Sequence, residues 1–312
     1  MKKKFKINNV SLVIAIALLI VMYLFGAAKY NRFGSLSTIL NLFNDNAYLI
    51  VVSVGMTFVL LTGGIDISVA SIVAFTGVFA AFLLEKGWAA APVIALTLFI
   101  GAFVGFLQGY AVHEFKIAPF LITLAGQFLM RGMCAVVSTI SIPITNDFFK
   151  SAALAKISWV TASGSRPKLY YYVFFAIAIV IIAWYILRFT RFGRAVYAVG
   201  SNEQSAQYMG LNVKGVKVGV YAINGFCSAL GGILFSFYTL AGYSLQNMGM
   251  ELDAISSAVI GGTLLTGGVG TVIGSMVGVL IQGIIQTIVT YQNLNTWWTK
   301  VTIAAILCFF IV

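Results

Sequence analysis

The chain has 312 residues, 61% of them hydrophobic and only 9% charged, a balance that excludes an ordinary soluble fold, which could not hide so much apolar surface. Its net charge of +11 rests on 19 basic residues against 8 acidic ones. The basic residues gather at 2–6 and 188–217, a distribution that speaks for membrane topology and against nucleic-acid binding.

Taken in chain order, apolar runs long enough to cross a bilayer recur throughout, since one helical span needs about 20 apolar residues. Residues 10–28 form the first, read as an uncleaved helix because no small-residue cleavage site follows it. Residues 46–65 and 67–84 are separated only by Asp66. Residues 87–112 make a fourth span, 117–140 a fifth that contains Arg131, and 169–187 a sixth. Residues 218–250 suit one span with an extension, 254–299 could hold two, and 301–312 is too short to cross alone. The expected fold is an all-α polytopic membrane protein of about eight to ten helices, some broken or re-entrant, in a single transmembrane domain covering 1–312.

Lys2, Lys3, Lys4 and Lys6 place the N-terminus on the cytoplasmic side. Six crossings later the chain should be inside again, where Arg188, Arg191, Arg194, Lys214 and Lys217 cluster. Residues 141–168 then face outward, with Lys150, Lys156, Arg166 and Lys168 available to meet acidic groups of an external partner.

Leu60-Leu61-Thr62-Gly63-Gly64 recurs as Leu264-Leu265-Thr266-Gly267-Gly268, and Ser71-Ile72-Val73 falls on Ser275-Met276-Val277 at the same offset. A repeat with glycine-interrupted apolar segments is the sequence signature of a transport path, because unwound backbone at membrane depth is tolerated only beside protein or water. The repeat halves are set at about 46–187 and 218–312, joined by a cytoplasmic segment at 188–217. Asp66 follows the first glycine pair, and a carboxylate there either caps the next helix or takes part in the solute path. Gln127 and Arg131 share a helix face at i and i+4. Arg131 is expected to pair with Glu251 or Asp253. The path candidates are therefore Gly63, Gly64, Asp66, Ser68, Ser71, Gln127, Arg131, Gly267, Gly268 and Ser275.

Gly101, Gly105 and Gly109 recur every fourth residue and read as a packing stripe. His113, beside Glu114 and Lys116, reads as interfacial. Cys134, Cys227 and Cys308 stand alone in apolar runs and read as small core residues. No metal site, nucleophile with its base, or phosphate loop is present in the sequence. In the cytoplasmic segment, Ser201 with Gln204 reads as a capping box and Gly210 as a helix stop, enclosing a two-turn helix suited to docking on a cytosolic partner.

Four blocks, 55–74, 115–132, 190–217 and 247–271, together resemble the permease subunits of ribose, xylose, arabinose and galactose ABC importers, in the family's order and over nearly the whole chain. Within that family the wording is most similar to the second permease of galactofuranose importers. Ser205-Ala206 and Gly210 match the family's A-A-x-x-x-G coupling pattern, with Ser in place of the first Ala. The resemblance implies a coupling role for Ser201, Asn202, Glu203, Ser205, Ala206 and Gly210. It also implies a homologous or identical second permease, a cytosolic ATPase subunit carrying ATP and Mg, a periplasmic sugar-binding protein, and no cofactor in this chain. The chain ends inside its last hydrophobic run, as a C-terminally shortened protein would. The alternative, an ion-coupled secondary transporter, would draw on Asp66, Glu251 and Asp253.

Overall fold

A computed structural model describes residues 4–31, 33–160, 166–295 and 297–311 of the chain, and the described backbone is helical almost throughout. In order come α1 (Lys4–Lys29), α2 (Leu36–Leu61), α3 (Val69–Glu85), α4 (Ala90–Glu114) and α5 (Pro119–Val137). An outer segment follows, with β1 (Ile142–Pro143), α6 (Asp147–Leu154), β2 (Lys156–Ser158) and β3 (Lys168–Tyr170). Then come α7 (Tyr171–Phe189), the short helices α8 (Arg191–Ser201) and α9 (Glu203–Tyr208), and α10 (Val213–Thr239). The chain closes with β4 (Ala241–Gly242), α11 (Met250–Ile260), α12 (Val272–Tyr291) and α13 (Trp297–Ile311).

Among the described residues, seven helices are long and apolar enough to span a bilayer, and α3 and α13 are shorter apolar helices. The all-α, multi-pass reading therefore stands. Of the basic residues that orient the N-terminus, Lys2 and Lys3 lie outside the described residues, and Lys4 and Lys6 stand on the first turns of α1. Two expected boundaries move outward. Ser35 caps α2 by accepting from the Thr38 N–H, so the helix begins ten residues before Asn46 and carries Asn41, Asn44 and Asp45 in its outer turns. The last run, expected at 301–312, is a 15-residue helix that begins at Trp297.

The core forms around α2, which is buried from Asn46 to Leu61 and is packed by α7, α10, α11 and α12. Its period is lost because every face meets another helix, so the sequence shows an unbroken apolar run instead of a stripe. By contrast α1 and α5 bury little of their surface and present apolar side chains such as Ile20, Phe128 and Val136 outward. Cys134 and Cys227 are buried as expected, but Cys308 is exposed, because α13 is peripheral and only one of its faces has protein to pack on.

The glycine stripe on α4 meets α10. A Cβ on Gly101 would sit 2.6 Å from the Gly225 carbonyl oxygen, one on Gly109 2.8 Å from the Val218 Cα, and one on Gly105 would overlap the Tyr221 carbonyl. Backbone, which cannot rotate away, fills the space on the far side. Gly105→Leu is expected to destabilise the folded protein by about 1–3 kcal/mol through overpacking. Gly132→Leu, with nothing within 4 Å of its added Cβ, should be neutral. Melting curves of the two variants in detergent check the contrast.

Outside the bundle, β1 pairs antiparallel with β4 and β2 with β3, so the two outer segments close over one another. Of the four outer cations, Lys156, Arg166 and Lys168 are exposed and Lys150 is half-buried on α6. The Lys156 ammonium lies 5.8 Å from the centre of the Tyr170 ring.

Candidate functional site

The two LLTGG copies differ in shape although their sequences agree. The first ends α2: Gly63, at φ +75°, donates to Leu60 O, and Gly64 N–H reaches back to Val59 O. The second lies wholly outside a helix, because Gly261 and Gly262 stop α11 at Ile260. At the repeat offset those glycines fall on Thr57 and Phe58, which continue α2 without interruption. Gly267 (φ +86°) and Gly268 (φ +74°) then turn the chain toward α12, which Thr271 caps by accepting from the Gly274 N–H.

The two breaks touch each other and the end of α8 at one point. Gly268 N–H donates to Leu61 O at 2.9 Å. The end of α8 sits on both: a Cβ at Gly200 would run into the Leu61 carbonyl and lie 2.7 Å from Gly268 N, and one at Gly268 would lie 2.6 Å from Ser201 Oγ. The Tyr197 hydroxyl, also on α8, donates to Gly270 O at 2.8 Å. Burial pushes the Tyr197 phenol up to about 12, so it keeps its proton and remains a donor. This junction fits because Gly200 and Gly268, which face each other in it, carry no side chain.

Just past the first break, Asp66 is completely buried. Its Oδ1 accepts from the Ser68 N–H at 2.8 Å and from Ser68 Oγ at 2.6 Å, and Oδ2 accepts from Asn224 Nδ2 at 2.8 Å. Gln108 donates to Ser68 Oγ at 2.9 Å, and Ser71 Oγ donates to Ser68 O. Asp66 thus supplies the side-chain bond that α3 lacks from its own cap residue, Ser68. The Tyr221 hydroxyl and Asn224 Oδ1 are buried beside this cluster without a hydrogen-bond partner among the described residues. Ser275 is bonded to Thr57 across α2 and α12 at 2.6 Å. Ser68, Ser71 and Ser275 are all fully buried in this conformation.

Gln127 and Arg131 lie elsewhere, at the middle and in the C-terminal half of α5. Arg131 pairs with neither expected acid: its Nη1 donates to the carbonyls of Ser244 (2.7 Å) and Gln246 (3.1 Å). The guanidinium is drawn there because the non-helical chain after β4 offers carbonyls that no helix satisfies. Glu251 instead accepts from Gln127 at 3.4 Å, and Asp253 pairs with Lys300 at 2.6 Å. The ten path candidates therefore fall into the junction at α8, a buried Asp66 cluster, the Ser275–Thr57 contact and the Gln127–Arg131 pair on α5.

The segment expected to couple to an ATPase, 188–217, differs from the sequence reading at its start. Ser201 is the last residue of α8, with its hydroxyl donating to Tyr197 O, and Asn202 is the cap of α9, accepting from the Ser205 N–H at 2.8 Å. Asn wins because an eleven-residue helix, unrecognised in the sequence, already occupies 191–201. Gly210 does stop α9, at φ +77° and with nothing within 4 Å of a Cβ position. Ala206 is buried in the main core, Glu203 pairs with Lys217 at 2.7 Å, and Tyr208 and Met209 project into solvent.

The sequence reading passed over Gln108, Asn224, Tyr197 and Gly200. A signal existed for the first two, since each is a lone amide in an apolar span.

A bundle of membrane-spanning helices with two unwound segments that converge on a short helix, α8, is a polytopic membrane protein. The chain belongs to the family described as branched-chain amino acid transport system / permease component, matched over residues 38–311. It is 42% identical to the inner membrane ABC transporter permease protein YjfF of Escherichia coli, over 97% of this chain and 91% of that protein. It is 36% identical to the fructose import permease protein FruG of Bifidobacterium longum, over 100% of this chain and 93% of that one. It is 35% identical to the ribose import permease protein RbsC of Haemophilus influenzae, over 88% and 84% of the two chains. No solved structure matches the chain. It is a multi-pass inner-membrane permease.

Proposed function

We propose that this chain is the permease subunit of an ATP-driven importer that carries a monosaccharide, galactofuranose or a ribose-like sugar, from periplasm to cytoplasm. The observation that carries the reading is the seating of α8 on both glycine breaks, since a push on the cytoplasmic segment reaches both unwound segments through close backbone contacts and the Tyr197 hydrogen bond. The curated relatives named for sugars support the substrate class over amino acids. The partners would be a cytosolic ATPase subunit holding ATP and Mg, a second permease, and a periplasmic binding protein that sets most of the selectivity. Asp66, Ser68, Gln127, Arg131 and the two LLTGG segments would border the path. An ion-coupled carrier is not favoured, because Asp66, Glu251 and Asp253 each already hold a protein partner. Copurification of an ATPase and a second permease, together with sugar uptake that needs ATP and survives an uncoupler, tests the reading; uptake abolished by the uncoupler alone overturns it.

Gly210 carries a sharper test. A side chain there would project away from the permease at a left-handed position costing roughly 1–2 kcal/mol for an L residue. Gly210→Trp should insert into the membrane normally yet hydrolyse ATP without importing sugar. Normal import with this variant would remove α9 from the coupling role.

The outer cations give a second check. Electrostatic docking is screened by salt, so a variant with Lys150, Lys156, Arg166 and Lys168 all neutralised should take up sugar more slowly and lose its dependence on ionic strength. A wild-type salt dependence in that variant would make these charges ordinary solvated ones.

A further inference from the structure

Asp45 is a carboxylate on the outer part of α2 for which the coupling scheme has no use. It is exposed and has no hydrogen bond or ion pair to any described residue. Its neighbour Asn44 marks the level of the outer face, donating to Lys168 O at 2.9 Å and accepting from the Tyr170 N–H at 3.2 Å, so that the outer hairpin is held against α2 at this height. A carboxylate on a membrane-spanning helix must face water, a partner or a ligand. Asp45 faces a cleft of about 340 Å³ between α2, α10 and α12, and a second of about 280 Å³ toward the hairpin. Asn41, Asp45 and Tyr238 line both.

The lining chemistry is selective. Alongside Asp45 the larger cleft presents the amides of Asn41 and Gln286 and the half-exposed Tyr238, whose ring lies 6.5 Å from that of Tyr48. Carboxylate and amides accept and donate to hydroxyls, and the aromatic faces suit the C–H face of a sugar ring. The size falls within the range of small-molecule sites, roughly 300–1,000 Å³. Among the described residues no lysine or arginine lines this larger cleft, so there a phosphorylated sugar or an amino-acid carboxylate would meet Asp45 without a compensating cation. We propose that the Asp45–Tyr238 cleft is an outward-facing binding site for a neutral monosaccharide arriving from the periplasmic side. The assignment rests on the importer reading above and adds to it a place and a ligand charge.

The test uses the complete transporter in phosphatidylcholine nanodiscs, with saturation-transfer NMR on D-ribose, D-galactose, D-fructose and L-leucine as probes. At least one sugar should receive saturation, Asp45→Asn and Tyr238→Ala should each lower it fivefold or more, and leucine should receive none. Asp45→Asn is nearly isosteric, so its melting temperature should match the wild type. Absence of any sugar signal, equal signals in both variants, or a leucine signal lost in Asp45→Asn would overturn the assignment. A signal abolished in phosphatidylglycerol nanodiscs would give the cleft to a lipid glycerol headgroup and overturn it equally. Uptake measured on the same preparations separates the two claims. ATP-driven uptake without an Asp45-dependent signal sinks the cleft alone; an Asp45-dependent signal without ATP-driven uptake keeps the cleft and sinks the importer reading.

Discussion

Gly200→Ala is expected to cut ATP-driven uptake at least tenfold while leaving the assembled complex intact. Within a helix, Gly to Ala ordinarily stabilises by about 1 kcal/mol. Here the new methyl has nowhere to go, since it would run into the Leu61 carbonyl and sit 2.7 Å from Gly268 N. Both obstacles are backbone, and they belong to the two breaks that exchange the 2.9 Å bond from Gly268 N–H to Leu61 O. Relief therefore requires α8 to lift off, or the breaks to part, at a cost of about 1–3 kcal/mol. Either movement disconnects the cytoplasmic segment from the unwound backbone it rests on. Uptake into proteoliposomes, set beside copurification of the partner subunits, reads the effect. Wild-type uptake in Gly200→Ala would show that the junction is passive packing.

Asp66→Ala should cause the largest loss of stability in the bundle, about 3–5 kcal/mol. Removing a buried, hydrogen-bonded carboxyl group is costly because its donors are left without acceptors. In this case the Ser68 N–H and Asn224 Nδ2 lose their acceptor, and the Ser68 hydroxyl keeps only the longer contact to Gln108 Oε1 at 3.3 Å. The start of α3 then has no side-chain cap, and α10 loses its polar tie to the break 158 residues earlier in the chain. Asp66→Asn keeps an oxygen for Ser68 but places an amide opposite Asn224 Nδ2, so its loss should be smaller. Melting temperatures in detergent should fall in the order wild type, Asn, Ala. If Asp66→Ala melts with the wild type, the carboxylate is not holding the break.

Composition and run length were enough to specify a multi-pass helical protein, because hydrocarbon demands long apolar helices whatever their neighbours are. Glycine chemistry was legible in the same local way. Gly63 and Gly210 occupy left-handed positions at helix ends, and Gly101, Gly105 and Gly109 form a close-packing face. Asp66 as the cap of a break was likewise foreseeable from Gly63, Gly64 and Ser68 around it.

What the local reading could not supply were partners distant in sequence. Nothing near Gly200 announces that Leu61 and Gly268 lie against it, and nothing near Arg131 announces that backbone carbonyls at Ser244 and Gln246 outcompete two carboxylates. The LLTGG repeat even misleads in detail, since Gly261-Gly262 end α11 before the second copy begins. The sequence by itself determined that the chain crosses the membrane many times and that Gly63 and Gly210 end helices, since those are contests between a residue and its solvent or its own backbone. Only the tertiary structure decided which breaks meet, which buried donors find acceptors, and that Asp45 is left open to a cleft, because each depends on distances between helices that no local preference encodes.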